Sequence, residues 1–503
     1  MPAIAIALLM WAGRGLYFLG DDWTMVLERR GGDLDAFLRP HAADLVIVEV
    51  LVYKALLALA GTGVYWPYRL TMVLAHLACL TIVFVVARRR VGPVIAGALT
   101  APLVLFGAAS GILLFPSRIG LVVSVIAGLG AMLALERDDR RRDVLACALL
   151  IVALAGSVFG LPLAVGAAAA LLARGAWWRR LWVAALPVAL YGAWYLAYDA
   201  GEQRTLHVGV GAAVLMAALA ASGWWLWRRG DVSPQLAMLA VTLPAFAVVT
   251  VVTHQRDGRF DSDRFWYPAA VLLVLLIAEA PRAVRLGRRT LAAALVVAAA
   301  AAGVDAAALV DDGDERRAAA QVLVAELAAV EEAPARLPEG AAIDPRAPGL
   351  TVVRWQHTLA QLGRPDFPPS ALASAPEPAR FQADRLLLEA VRRSPLPRAP
   401  RPGLTAAVSG SAAPLLRRRG ACLVARESPA PVQARLQPPA YGLAVRAAPD
   451  RPLVVRLRRF AQAFGRPVAT LGPGEGVVIA PPIGFSPVPW VASITGGGRF
   501  VLC

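Results

Sequence analysis

Long apolar runs separated by short polar connections dominate the first three hundred or so residues, and about 20 helical residues cross a hydrocarbon core of about 30 Å. The pattern predicts roughly eleven membrane spans, near 3–19, 65–87, 92–110, 119–135, 144–157, 159–173, 181–198, 208–227, 236–253, 265–280 and 290–306. The two around Gly160-Leu161-Pro162 are short, and the last is nearly all alanine. Beyond 311 the apolar runs end, and prolines at 334–348, 365–378 and 395–402 mark loops. Residues 315–330 carry the 3.6-residue period of an amphipathic helix. After Gly403 the period falls to two. Val432, Ala434 and Leu436 alternate with Gln433, Arg435 and Gln437, while Leu453, Val455 and Leu457 alternate with Arg456 and Arg458. Such strands predict a β-sandwich or jelly roll. The expected fold class is a polytopic α-helical membrane protein with a C-terminal extracytoplasmic domain. Its parts are a membrane domain over 1–306 with a first external loop at 20–64, a mixed helical and Pro-rich segment over 307–402, and the sandwich over 403–503.

Composition sharpens this picture. Of the 503 residues 58% are hydrophobic and 17% charged, against about 25% charged in soluble domains, so an ordinary soluble enzyme and a disordered chain are both excluded. The net charge of +16 would raise nucleic acid as a partner in a soluble protein. Here the arginines instead cluster at 88–90, 137–142, 174–180, 228–229 and 282–289, on alternate connections. The positive-inside rule makes those connections cytoplasmic. A multi-pass protein of the plasma (inner) membrane is expected, with a cytoplasmic N-terminus, no nucleic-acid partner, and the 20–64 loop and everything after 311 external. Met1 opens almost directly into apolar sequence, with no Ala-x-Ala site before Asp21, which predicts an uncleaved first helix.

Four cysteines are present. Cys79 and Cys147 fall inside predicted spans and read as small apolar residues. Cys422 and Cys503 lie at strand-like ends of the exported domain, where oxidation is permitted, so a bridge between them is expected, the alternative being two unpaired thiols. Their spacing with histidine does not suggest zinc.

Chemistry is sought where polar residues meet the membrane. Gly20-Asp21-Asp22-Trp23 follows the first span at its outer end, and ionisable groups at such a boundary are functional candidates. A solvated acidic loop is the alternative. The long loop that follows contains Leu38-Arg39-Pro40-His41, then an apolar segment at 45–60 suited to the interface, then Tyr65, Trp66, Tyr68 and Arg69 at the start of the second span.

This arrangement resembles the GT-C superfamily of integral membrane glycosyltransferases, and most resembles the cell-envelope arabinosyl- and mannosyltransferases of actinobacteria. The resemblance implies a donor sugar carried on a polyprenyl phosphate, a glycan, lipid or protein acceptor in the envelope, and an exported sandwich like a carbohydrate-binding module. It implies Asp21 or Asp22 as general base in an inverting transfer. The phosphate leaving group needs charge stabilisation, which arginines supply bidentately. The expected substrate-binding set is Trp23, Arg39, His41, Arg69, Arg118, Arg259, Arg264 and Tyr267, with Arg256 a further outward arginine and Arg264 favoured because it opens a span. For each arginine, snorkelling to the interface is the alternative role. No metal ligand is assigned, and Mg²⁺ or Mn²⁺ remains open because paired aspartates serve either as ligands or as base and positioning groups. Trp355, Tyr441 and Trp490 are either stacking platforms for sugars or core residues. Two other functions fit the same spans: a transporter or flippase of an envelope precursor, and a catalytically inactive relative acting as an assembly partner.

Overall fold

The computed structural model describes residues 2–41, 44–174, 177–198, 233–254, 263–279, 288–333, 336–362, 367, 369–396, 406–409, 416–419, 422–425, 431–436, 442–482, 484–496 and 498–502. The chain divides into two compact units, Met1–Arg317 and Ala318–Cys503.

The first unit is helical. In chain order its helices are α1 (Pro2–Ala12), α2 (Asp21–Glu28), α3 (Leu34–Leu38), α4 (Ile47–Ala60), α5 (Trp66–Val91), α6 (Pro93–Val104), α7 (Ser110–Leu113), α8 (Ile119–Ala134), α9 (Arg140–Gly156), α10 (Gly160–Leu172), α11 (Trp182–Tyr198), α12 (Pro234–His254) and α13 (Asp263–Glu279), with α14 (Arg288–Glu332) running on into the second unit. Among the described residues three helices are long and apolar enough to cross a membrane, Trp66–Val91, Pro116–Ala134 and Arg289–Glu332, or four if α6 and the stretch Gly107–Leu113, bent by 50°, count as one span. Shorter apolar helices lie at Ala3–Ala12, Gly160–Leu172, Trp182–Tyr198, Pro234–Thr250 and Phe265–Glu279. The span expected at 208–227 lies outside the described residues.

Two expectations are corrected in detail. The first apolar run predicts helix to residue 19, but α1 stops at Ala12. Gly13 and Gly15 flank Arg14, and Gly15 takes φ +69°, a left-handed conformation that ends a helix cheaply only at glycine. The second correction concerns 290–306 and 315–330, predicted as a span and a separate amphipathic helix. They form the single helix α14: residues 307–314 between them, Ala-Ala-Leu-Val-Asp-Asp-Gly-Asp, contain no proline to break the helix, and the strong helix formers on either side carry it through the weak Asp and Gly positions.

The second unit holds α15 (Val352–Leu362), α16 (Pro369–Ser374), α17 (Glu377–Glu389) and eleven strands: β1 (Arg392–Pro395), β2 (Ala406–Ser409), β3 (Leu416–Arg419), β4 (Cys422–Ala425), β5 (Val432–Leu436), β6 (Leu443–Ala447), β7 (Leu453–Arg458), β8 (Ala469–Leu471), β9 (Gly476–Ala480), β10 (Trp490–Thr495) and β11 (Phe500–Leu502). They pair into a six-stranded sheet, ordered β1-β9-β6-β11-β4-β3, and a five-stranded sheet, ordered β2-β5-β10-β7-β8, with every pairing antiparallel. The alternation seen in the sequence sets their faces: Val432, Ala434 and Leu436 of β5 and Leu453, Val455 and Leu457 of β7 are buried, and the arginines between them are not. Cys422 is disulfide-bonded, and its expected partner Cys503 lies outside the described residues. Cys79 and Cys147 are free and buried.

A buried polar cluster ties this unit together. Asp384 on α17 accepts the backbone N–H groups of Arg459, Phe460 and Ala461 at 2.8 to 3.1 Å. Arg459 pairs with Glu332 at 2.9 Å and donates to the carbonyls of Ser486 and Val488. Glu332 in turn accepts the N–H of Ser486.

Candidate functional site

The site begins with a turn. Residues 16–19 leave α1 without regular structure, and Gly20, at φ +54°, swings the chain so that Asp21 and Asp22 occupy the first turn of α2. Two carboxylates there face the positive end of the helix dipole. Neighbours on a helix are turned by about 100° from one another, so the two side chains diverge. Asp22 is fully buried, whereas the Asp21 side chain is 38% exposed.

Asp22 is held from several sides. Its carboxylate accepts the Leu19 N–H at 3.1 Å, the Tyr65 hydroxyl at 2.7 Å and the Tyr53 hydroxyl. Around it Tyr17, Phe18, Trp23, Tyr65 and Tyr68 pack ring on ring. Burial lifts the Asp22 carboxyl above the ordinary aspartate range, against hydrogen bonds from Tyr53, Tyr65 and Leu19 that favour its anion. Such a group fixes the start of α2.

Asp21 faces an open cleft lined by Asp21, His41, Asp44, Val46, Glu49, Ser117, Arg118, Leu121, Ser157 and Phe159. Its carboxylate pairs with the Arg118 guanidinium at 2.7 Å and lies 3.6 Å from His41 Nε2. Four helices begin here: α2 with Asp21 in its first turn, α4 with Val46 as N-cap and Glu49 in its first turn, α8 with Arg118 as N-cap, and α10 with Phe159 as N-cap. Helix N-termini present unpaired N–H groups and positive dipole ends, which favour an anion between them.

Glu49 and Asp44 are cleft residues that the sequence reading did not select. Glu49 is 5% exposed, and its Oε2 has no hydrogen-bond partner. It fits because residue 120 is glycine: a Cβ there would stand 2.0 Å from Glu49 Oε1. Burial pushes the Glu49 carboxyl well above the usual glutamate range, with Asp44 adding to the rise and Arg118 opposing it. The available signal was a lone acid in the apolar run 45–53, an expensive placement without a purpose.

The remaining expected residues divide. Arg118 and His41 reach the cleft, as above. Trp23 is buried and donates to the Phe18 carbonyl at 3.1 Å. Arg39 braces the loop, donating to the Glu28 carbonyl at 3.0 Å. The buried Arg29 holds the same loop by donating to the carbonyls of Ala36, Arg39 and Pro40, and so sets the position of His41. Arg69 is buried and does not line the cleft; it donates to the carbonyls of Leu9 and Leu113, near the ends of α1 and α7, where the sequence suggested a substrate-binding cation at the start of the second span. Tyr267 is buried in the bundle against His76, 3.1 Å from its Nδ1. Arg256 and Arg259 lie outside the described residues, as does the side chain of Arg264. Trp355 is fully buried, and Trp490, 6% exposed, donates to the Pro482 carbonyl; both are core residues and not sugar platforms. Tyr441 lies outside the described residues. Among the described residues no three His, Cys, Asp or Glu side chains converge as ligands for a metal ion.

No protein-family model matches this chain, and no curated protein matches it in sequence. It is similar to two solved structures of ArnT from Cupriavidus metallidurans. The one bound to undecaprenyl phosphate shares 15% identity over 71% of this chain and 86% of that one, at a TM-score of 0.46. The apo-state structure shares 17% identity over 67% of this chain and 80% of that one, at a TM-score of 0.44.

Proposed function

We propose that this chain is a membrane glycosyltransferase of inverting type, moving a sugar from a polyprenyl-phosphate donor to a glycan, lipid or protein acceptor of the cell envelope on the external face. The observation that carries this reading is the Asp21–Arg118 pair at the mouth of a cleft on which four helices begin. Helices long and apolar enough to cross a membrane supply the surroundings a polyprenyl chain requires.

In this mechanism an acceptor hydroxyl attacks the anomeric carbon of the donor and passes its proton to the Asp21 carboxylate. The C–O bond to phosphate breaks with its electron pair going to the phosphate, so polyprenyl phosphate leaves as an anion and the anomeric configuration inverts. Arg118 and the surrounding helix N-termini stabilise the charge that gathers on the departing phosphate. His41, 3.6 Å from Asp21, orients the base, and Asp22 holds the turn.

Asp21→Asn retains the shape and removes the base, so turnover should fall at least about a hundredfold, within the range general-base catalysis provides. Transfer of radiolabelled sugar from a polyprenyl-phosphate donor into membrane acceptor measures it, with protein level followed in parallel. Unchanged transfer by a well-expressed Asp21→Asn protein would overturn the reading. The external assignment of the 20–64 loop and of the second unit rests on the alternating arginines. Cysteines introduced at Gly32 and Gly340 should react with an impermeant thiol reagent in intact cells, and one at Arg140 should stay silent. Labelling at Arg140 with silence at the other two would reverse the topology.

A further inference from the structure

We propose that the outward face of the six-stranded sheet in the second unit is a docking surface for a linear polyanion, a polymer bearing carboxylate or phosphate groups along its length. Residues 392–503 contain 16 arginines against three acidic residues, a density of one charge sign far beyond what solubility needs. The sheet register shows where part of that charge goes. Arg417 on β3 lies opposite Val424 on β4, Val424 opposite Val501 on β11, Val501 opposite Arg446 on β6, and Arg446 opposite Gly476 on β9. Because side chains alternate across a strand, Arg419 shares the face of Arg417. Ala480 shares the face of Gly476, which brings in Arg392 opposite it on β1.

Arg392, Arg417, Arg419 and Arg446 therefore stand on one side of one sheet, and all four are exposed. The other side carries the buried Ala425, Leu443, Val445, Ala447, Ile479, Phe500 and Leu502. No carboxylate among the described residues forms an ion pair with any of the four arginines. Strands lie about 4.8 Å apart and rise about 3.3 Å per residue, so Arg417 and Arg446, three strands apart, are separated by about 14 Å, while Arg446 and Arg392, two strands apart and offset by four residues along β9, are about 10 Å apart across the sheet and about 13 Å along it.

The form of the surface selects the partner. Charges spread at such intervals cannot converge on one small anion, yet a polymer laid across the strands meets several at once. Between the arginines stand valine, alanine, glycine, serine and the disulfide-bonded Cys422, and among the described residues this face carries no aromatic ring on which a neutral sugar would stack. Among the described residues of this unit the exposed large apolar side chains are Val353 and Phe485, and neither lies on this face. A surface that inserts into lipid would carry such groups here. Guanidinium groups pair bidentately with carboxylate and phosphate alike.

The test uses the full-length protein in nanodiscs of zwitterionic lipid, titrated with fluorescent polygalacturonate, inorganic polyphosphate and, as a neutral control, dextran. Polygalacturonate or polyphosphate should bind with a linear log–log salt dependence, as counterion release requires, and dextran should not. The triple variant Arg417→Gln, Arg419→Gln, Arg446→Gln should weaken binding at least about tenfold and flatten the salt slope, since each removed cation releases fewer counterions. Removing the same charge at Arg140, Arg141 and Arg142 should leave binding unchanged. If the triple variant folds poorly, Arg446→Glu alone serves, placing one opposite charge amid the row. Equal polyanion binding by wild type and Arg446→Glu, binding of dextran as strong as that of the polyanions, or capture by anionic-lipid vesicles without polymer binding would each overturn the proposal. Sugar transfer is not read in this assay, so its outcome is independent of the catalytic assignment to Asp21.

Discussion

Asp384 and Asp21 are both carboxylates beside an arginine, and the difference between their surroundings separates a structural ion cluster from a candidate reactive one. Asp384 is 4% exposed and accepts three consecutive backbone N–H groups, while the neighbouring Arg459 is divided between Glu332 and two carbonyls. Backbone N–H groups fixed in place leave such a carboxylate no room to take up a proton from a ligand. Asp21 has over a third of its side chain open to a cleft and is held by two side chains, Arg118 and His41, both partly exposed. Side-chain partners can shift to admit a hydroxyl between them. A carboxylate's exposure to a cleft, more than the presence of an arginine, tells scaffold from chemistry.

That comparison breaks most sharply at Asp384. Asp384→Ala strips three buried N–H groups of their acceptor, so the second unit should lose about 3–5 kcal/mol, at about 1–3 kcal/mol for each buried donor left unsatisfied. The measurement is the midpoint of thermal unfolding of the full-length protein, followed by exposure of the Trp490 ring beside the cluster. A midpoint within one degree of wild type would show that the cluster carries no stability. Asp21→Asn should do the reverse, removing sugar transfer with little change in that midpoint. If the two variants lose activity and stability in the same proportion, the distinction drawn between the sites is void.

Much of this was legible in the chain, and the parts that were not share a cause. The two-residue alternation in 432–436 and 453–458 marked β5 and β7 with their buried faces, because period two has one structural meaning when half the positions are apolar. The apolar runs marked the helices, and Gly20-Asp21-Asp22 marked the place of the site. Which aspartate faces the cleft was not legible, since that depends on the rotation of α2 set by the left-handed Gly20. Arg69 and Arg118 looked equivalent as cations near span ends. Only the fold sends one to the carbonyls of α1 and α7 and the other to a carboxylate 97 positions away in sequence. Glu49 was visible as an isolated acid, but its role needs Gly120 on another helix. Local pattern reports elements and faces, while side-chain pairing across tens of residues depends on packing that no periodicity encodes.

Glu49 supplies the smallest effect and the finest test of the same idea. It is buried beside the open cleft with one oxygen unpartnered, and burial pushes its carboxyl well above the usual glutamate range. Its folded-state pKa stands well above the unfolded one, so between the two values the folded protein keeps a proton that the unfolded chain releases. Unfolding then releases protons, and stability falls as pH rises from the ordinary glutamate range, about 4.5, toward the folded value. Glu49→Gln matches the protonated carboxyl in shape and cannot ionise. The variant should equal wild type in unfolding midpoint at pH 4 and exceed it by a few degrees at pH 7, with a flatter profile between. A wild-type advantage that grows with pH would mean that Glu49 is ionised in the folded protein and stabilised there by Arg118, which would move it from the wall of the cleft to the charge balance of the site itself.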